Sequence, residues 1–327
     1  MPGQPLITQS IADAAEALLS GQLVAIPTET VYGLAADATN PIAVAKVFAL
    51  KGRPADHPLI VHCGSAAQAW QCARSVTSAA RRLANTFWPG PLTLVLPRSD
   101  WISLAITAGQ DSVAVRVPSH PLTRQLLAAV DRPLVAPSAN RFGRVSPTTA
   151  EHVRDEFPDS ELLILDGGPC DVGIESTIVD CRAVESVRIL RPGKITQQHL
   201  VEELGEACLQ VPENDPATVR VSGALPTHYA PQAKVVVLEA RELSVWCASS
   251  MDDEVPTFLI APALPPENLP AGIRWHSVSS DVNQFAREMY ALFRQADRES
   301  FARIVVQLPP AEGIGLALRD RLQRAAN

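Results

Sequence analysis

Apolar runs in this chain repeatedly stop at a proline or glycine and spill into small polar residues. Leu23-Val24-Ala25-Ile26 follows Gly21 and reads as a buried strand over 22–27. Pro27 ends its ladder, and Thr28-Glu29-Thr30 places two hydroxyls and a carboxylate where the core pattern should continue. Upstream, 10–20 has helical spacing. Asn40-Pro41 is an N-cap followed by proline at the first helical position; it opens a helix to about Leu50, which Gly52 and Pro54 end. The stretch from His57 to His62 reads as a strand, 65–73 and 77–88 as helices, and 92–97 and 112–117 as strands. A helix at 121–130, a short strand at 134–136 and a helix from Thr148 follow, its start capped by Ser146 or Thr148. Runs at 161–165, 176–181 and 187–191 read as strands, and 197–204 as a helix. Strands and helices alternate irregularly, which predicts a mixed α/β sheet, not a strictly parallel doubly wound one.

Periodicity fades over 205–233, which holds Pro212, Pro216, Pro226 and Pro231. Beyond it the pattern reads strand (234–239), helix (241–250), strand (256–261), strand (272–277), helix (281–297), strand (302–307), helix (313–325). This predicts a small three-layer α/β domain with a mostly parallel sheet. The expected organisation is a catalytic domain over 1–208, a proline-rich linker over 209–232 and a C-terminal domain over 233–327.

Charge narrows the choice of partners. The chain has 327 residues and a net charge of −7, so no global field recruits nucleic acid or a membrane surface; tRNA binding would need a local basic patch. No apolar run is long enough to span a bilayer, and the N-terminus lacks a secretory pattern, so a cytoplasmic protein is expected. The six cysteines form no C-x-x-C pair and read as buried free thiols. Neither G-x-G-x-x-G nor G-x-x-x-x-G-K-[ST] occurs, which disfavours a dinucleotide enzyme or a P-loop ATPase.

The candidate chemistry lies at the strand ends. Polar triplets recur at Thr28-Glu29-Thr30, Ser138-Ala139-Asn140 and Glu175-Ser176-Thr177, and three of them suggest one polar cavity among apolar walls. Arg116, inside Val-Ala-Val-Arg-Val, must be buried; its partner is an internal carboxylate such as Glu29 or Glu175, or a substrate carboxylate or phosphate. Lys51 suits a helix C-terminus, but with Arg53 it forms a compact cationic turn that a shared phosphate would stabilise. His57 and His62, at the two ends of one strand, should face opposite ways, which rules against a two-histidine metal site. No G-x-S-x-G elbow and no Ser/His/Asp or Cys/His set is visible, so the site reads as a holder of charged small molecules with no covalent nucleophile.

In this order, PTETVYGL (27–34), KGRP…HPLIVH (51–62), VAVRVPSHP (113–121), APSAN (136–140), ESTIVD (175–180) and ILRPG (189–193) resemble the YrdC-like threonylcarbamoyl-AMP synthases. HYAP (228–231) and the domain after it resemble the long, two-domain form. The resemblance implies a twisted mixed sheet with a large open cavity. It also implies a nucleotidyltransferase that converts L-threonine, bicarbonate and ATP to threonylcarbamoyl-AMP and pyrophosphate. Its product would serve threonylcarbamoyladenosine modification of tRNA, with handover to a transfer complex. By motif position, the implied L-threonine contacts are Thr30, His62, Arg116, the backbone at Ala136, and Ser176. The implied ATP contacts are Arg53, His57, Ser112, Ser138, Ser146, Arg191 and Tyr229. Lys51 joins Arg53 on charge grounds, as an electrostatic catalyst. Mg²⁺ is expected with ATP, with no protein ligand assigned.

Two other readings are disfavoured. An RNA-binding module does not fit the acidic charge and the scarcity of aromatics for base stacking. Related carbamoyl-transfer maturation factors carry zinc-finger or kinase-like domains, and none is visible. The linker reads VSGALPTHYAP, where many relatives have a Ser-Pro-Gly run and a basic residue; this leaves open whether 222–227 touches nucleotide. The linker is expected to lie over the cavity as a lid that keeps water from a labile carbamate. Limited proteolysis of 212–231 should slow when ATP and threonine are both present; equal cutting with and without them would rule out a lid.

Overall fold

The structure, a computed structural model, describes residues 3–209, 219–223, 225–249, 255–265, 269 and 272–327. Of the expected linker, 210–218 and 224 lie outside the described residues, as does residue 250 of the helix expected over 241–250. The chain divides into two units, 1–142 with 146–224 and 143–145 with 225–327.

The first unit runs β1 (Leu6–Thr8), α1 (Ile11–Leu19), β2 (Val24–Ile26), β3 (Gly33–Asp37), α2 (Pro41–Lys51), β4 (Ile60–His62), α3 (Ala66–Gln71), α4 (Ser78–Phe87), β5 (Leu92–Pro97) and α5 (Leu104–Thr107). It continues β6 (Ser112–Arg116), α6 (Pro121–Val130), β7 (Leu134–Val135), α7 (Ala150–Glu156), β8 (Leu163–Leu165), β9 (Thr177–Asp180), β10 (Arg188–Arg191) and α8 (Gln197–Leu204). Among the described residues its ten strands form one mixed sheet in the order β1-β8-β2-β3-β7-β4-β6-β5-β9-β10.

Local chemistry explains the helix ends. Asn40 accepts from the N–H groups of Ile42 (3.0 Å) and Ala43 (3.2 Å), and Gly52 closes α2 in the left-handed conformation that glycine adopts without penalty. The helix after the Ser146 loop is capped by Thr149, which accepts from the His152 N–H, and not by Ser146 or Thr148 as expected. Those two residues lie outside the capping position.

Two further expectations change. β3 was not foreseen: its sequence, Gly-Leu-Ala-Ala-Asp, has low strand propensity and no polar alternation, and it forms because β2 offers an antiparallel partner. Residues 27–32 are therefore a hairpin loop, with Ile26 paired to Gly33. The strand expected from His57 begins only at Ile60. Pro58 cannot donate to a ladder, and His57 falls in the turn before it. The short elements β1 and α5 were also missed.

The second unit carries β11 (Lys234–Leu238), α9 (Ala240–Ser249), β12 (Thr257–Ala261), β13 (Ile273–Ser277), α10 (Val282–Arg298), β14 (Arg303–Gln307) and α11 (Ile314–Ala326). Its strands, in the order β11-β14-β12-β13, are all parallel. The β11→β12 and β13→β14 crossovers run in opposite directions, so right-handed connection places α9 and α10 on opposite faces. No described helix is long and apolar enough to cross a membrane.

Asn40→Ala should cost about 1 kcal/mol of stability, read as a lower urea midpoint with unchanged slope.

Candidate functional site

The site grows from one register line of the sheet. His62 on β4 pairs with Arg116 on β6, and Arg116 pairs with Thr93 on β5. Paired residues of neighbouring strands project to the same face, so an imidazole, a guanidinium and a hydroxyl stand in a row. Thr93 Oγ1 lies 2.7 Å from Ser176 Oγ, just before β9, which brings the third polar triplet to the end of the row. Two residues along, the same face turns apolar: Ile60, Val95 and Ile178 pack there with Val219 and Val221. Ser112, four residues before Arg116 on β6, lies at this covered end, lining a small void with Ser222.

The hairpin loop supplies the other wall. Arg116 is 3% exposed and Glu29 5%. Arg116 Nη2 sits 2.7 Å from Glu29 Oε1, Nη1 donates to Thr30 Oγ1 (2.9 Å), and Nε donates to the Gly90 carbonyl (3.3 Å). Of the two internal partners open to Arg116, the structure has Glu29. Glu175 instead accepts from Ser146 Oγ at 2.7 Å. Thr28 Oγ1 donates to the Val31 carbonyl (2.6 Å) and accepts from the N–H groups of Thr30 and Val31, holding the loop's shape. The loop is also tied to its neighbours, since Tyr32 N–H donates to Pro147 O and Ala139 N–H to Tyr32 O.

His62 is buried, and its Nδ1–H donates to the Ile60 carbonyl at 3.3 Å. Burial, reinforced by the Arg116 charge, pushes its pKa down to about 3. The ring is therefore neutral at physiological pH, and Nε2 is left as its acceptor. The Ala136 N–H is committed to the Ile60 carbonyl (3.0 Å).

A second cluster surrounds the cationic turn. Lys51 is buried and donates to the carbonyls of Ser138 (2.6 Å) and Asn140, so it pins the end of α2 to the APSAN loop. Burial and the adjacent Arg53 charge hold its ammonium well below the usual lysine range. Arg53 donates to the Pro58 carbonyl (2.9 Å) and to Ser222 Oγ (3.2 Å), and its guanidinium lies 5.7 Å from the Phe142 ring centroid. His57, on the same turn, has its ring centroid 5.0 Å from that of Phe142. Burial and Arg53 depress its pKa as well. Arg191 donates from Nε (3.1 Å) and Nη2 (2.9 Å) to the Ser176 carbonyl and from Nη1 to the Ser222 carbonyl (2.8 Å). Ser222 thus bridges Arg53 and Arg191.

The structure brings Thr30, His62, Arg116 and Ser176 together along one line, and gathers Lys51, Arg53, His57, Ser138 and Arg191 around the turn. Ser146 joins through Glu175. Tyr229 belongs to the second unit, where it adopts φ +63° with its ring 5.9 Å from Tyr290 and 5.5 Å from the Arg321 guanidinium. Sequence reading missed Thr93, which looked like an ordinary strand residue. It assigned no role to Ser222, whose contacts to Arg53 and Arg191 are distant in sequence. The pairing of Thr93 with Arg116 was not visible without the sheet register.

Comparison with known proteins shows what the chain is similar to. A family model described as "Telomere recombination" (Sua5_yciO_yrdC) matches residues 16–193, and one described as "Threonylcarbamoyl-AMP synthase, C-terminal domain" matches 195–327. A threonylcarbamoyl-AMP synthase of Pyrococcus abyssi is 37% identical, over 96% of this chain and 93% of that protein. One of Bacillus subtilis is 36% identical, over 97% and 92%. A crystal structure of P. abyssi Sua5 complexed with L-threonine superposes with a TM-score of 0.87 at 35% identity, covering 99% of this chain and 97% of that one.

The neutral His62 yields a prediction about pH. Its folded pKa lies below the ordinary 6.5, so between pH 6.5 and about 3 the unfolded chain binds a proton that the native site does not. Stability should therefore fall with falling pH across that window. His62→Gln should flatten the fall by up to one proton's worth, about 1.4 kcal/mol per pH unit, in denaturant titrations.

Proposed function

The chain belongs to the threonylcarbamoyl-AMP synthase family, and from that premise we propose that it makes threonylcarbamoyl-AMP from L-threonine, bicarbonate and ATP, releasing pyrophosphate as a nucleotidyltransferase. The observation that carries this reading is Arg116, a buried guanidinium flanked by hydroxyls and a neutral imidazole. Among the described residues it uses three of its five N–H donors, so a carboxylate can be received on the others. The Arg116–Thr30–His62–Ser176 line suits threonine: its carboxylate goes to Arg116, and its hydroxyl goes to the neutral Nε2 of His62 or to Ser176. The binding of L-threonine by the P. abyssi relative supports the assignment.

The chemistry needs no covalent nucleophile. The threonine amine and bicarbonate condense to a carbamate with loss of water. A carbamate oxygen then attacks the α-phosphorus of ATP, breaking its bond to the β-phosphate oxygen and expelling pyrophosphate. The chain's part is to position the reactants and neutralise charge. Arg53 and Arg191, joined through Ser222, form the triphosphate-facing cations of this proposal, with His57, Ser112, Ser138 and Ser146 as neighbouring contacts; Tyr229 is assigned to ATP by motif position alone. Lys51 acts through the loop it holds, setting the carbonyls of Ser138 and Asn140. Among the described residues no three His, Cys, Asp or Glu side chains converge on a metal position. A magnesium ion would enter with the triphosphate, and no step is assigned to it. We assign the product to threonylcarbamoyl modification of adenosine in tRNA, by handover to a transfer complex. The free cysteines support a reducing cytoplasmic setting.

Pyrophosphate release should require ATP, threonine and bicarbonate together; release independent of threonine would overturn the assignment. Arg116→Ala should raise the KM for threonine by about 100-fold or more while changing the KM for ATP much less, since it removes a buried charged contact to one substrate only. Equal effects on both would place a different partner on Arg116.

A further inference from the structure

We propose that Glu29 recognises the α-ammonium group of the amino-acid substrate and so makes the site selective for a zwitterion. This rests on the reading of Arg116 as the carboxylate contact.

The argument begins with charge. Glu29 and Arg116 are buried against each other and together are neutral. A bare carboxylate arriving at Arg116 would place two anionic groups on one guanidinium in a desolvated setting, leaving a net negative charge with no water to solvate it. A zwitterion avoids this, because it brings as much positive charge as negative. The resident pair is then complementary to the ligand: guanidinium to carboxylate, and carboxylate to ammonium, four charges in alternation.

Both residents have capacity left for that exchange. A carboxylate offers about four acceptor positions. Among the described residues Glu29 Oε2 accepts one N–H, from Ser119 at 3.2 Å, and Oε1 faces Arg116. An ammonium can join these contacts without displacing either. The backbone keeps the carboxylate at this depth, since the Glu29 carbonyl accepts from the Val172 N–H at 2.7 Å while Thr28 shapes the loop on its other side. The acid of the third triplet, Glu175, accepts from Ser146 Oγ at 2.7 Å. The α-amino and carboxylate groups of an amino acid hang from one carbon, so their receptors must be immediate neighbours. At 2.7 Å, Glu29 and Arg116 are.

The test is calorimetric titration of the full chain with L-threonine and with (R)-3-hydroxybutyrate, which is threonine without its amino group. The wild type should prefer threonine by at least about 30-fold, the scale of a buried charged contact. In Glu29→Gln, threonine should weaken. The hydroxy acid should tighten because Arg116 has lost its resident anion, and the preference should fall to about threefold or less. A merely structural role would weaken both ligands together and leave the ratio intact, which would overturn the proposal. So would a wild type that binds the two equally. If Glu29→Gln does not fold, Glu29→Asp, which keeps the charge but withdraws it by one methylene, should give an intermediate ratio, and an unchanged one counts against the idea. A wild type that binds no threonine overturns the threonine site and this inference with it. Threonine binding with an unchanged ratio overturns this inference alone.

Discussion

A guanidinium and a carboxylate buried side by side are the constraint on which the rest of the first unit's polar chemistry depends. Removing either charge would strand the other in the interior, at a cost of about 3–5 kcal/mol. The hairpin loop and strand β6 are therefore locked to each other. That lock sets Thr30 against Arg116, draws residues 27–32 over the sheet, and leaves the loop's remaining backbone groups to be satisfied by the loops at 137–147 and 172. Buried pairs of this kind are often replaced by well-packed apolar groups without loss of stability, whereas removal of one partner alone is costly. At the other cluster the buried Lys51 ammonium is held by two backbone carbonyls, which ties the end of α2 to the APSAN loop.

Much of this was legible in the sequence, for identifiable reasons. Helices with a clear start signal were placed well: α6, which opens on Pro121, and α8, capped by Thr196, have the bounds expected, and α2, which opens on Asn40-Pro41, extends one residue further. The burial of Arg116 followed from its apolar neighbours, and Glu29, its partner in the structure, was one of the two acids offered as examples of an internal partner. The misses share one cause. β3 is composed of small residues that carry no strand signal and is specified by its partner. His57 looked like a strand residue because local pattern does not count ladder donors lost to Pro58. Thr93 and Ser222 matter only through register and through contacts across more than eighty residues, which no local window contains.

The second unit shows a different use of local strain. Tyr229 is a buried, non-glycine residue in the left-handed region, which costs about 1 kcal/mol or more and persists only if its surroundings over-determine it. They do: Tyr290 stacks on one side and the fully buried Arg321 lies across the ring, itself joined to Asp320 at 2.6 Å. The domain that showed no chemical motif of its own thus fixes the conformation of the one linker residue that the family resemblance singles out.

The row of His62, Arg116 and Thr93 has a consequence for how such a site can change. Its members sit on adjacent strands, so their spacing is set by the distance between hydrogen-bonded strands, about 4.8 Å, and by no property of the side chains. The sheet acts as a ruler with fixed graduations. Exchanging a side chain alters what stands at a mark, but moving a mark requires a register slip, which would turn the whole strand's residues to the opposite face. Adaptation to a larger or smaller amino acid is therefore channelled into the loops that border the row, the hairpin loop among them, whose lengths are not counted in strand spacings.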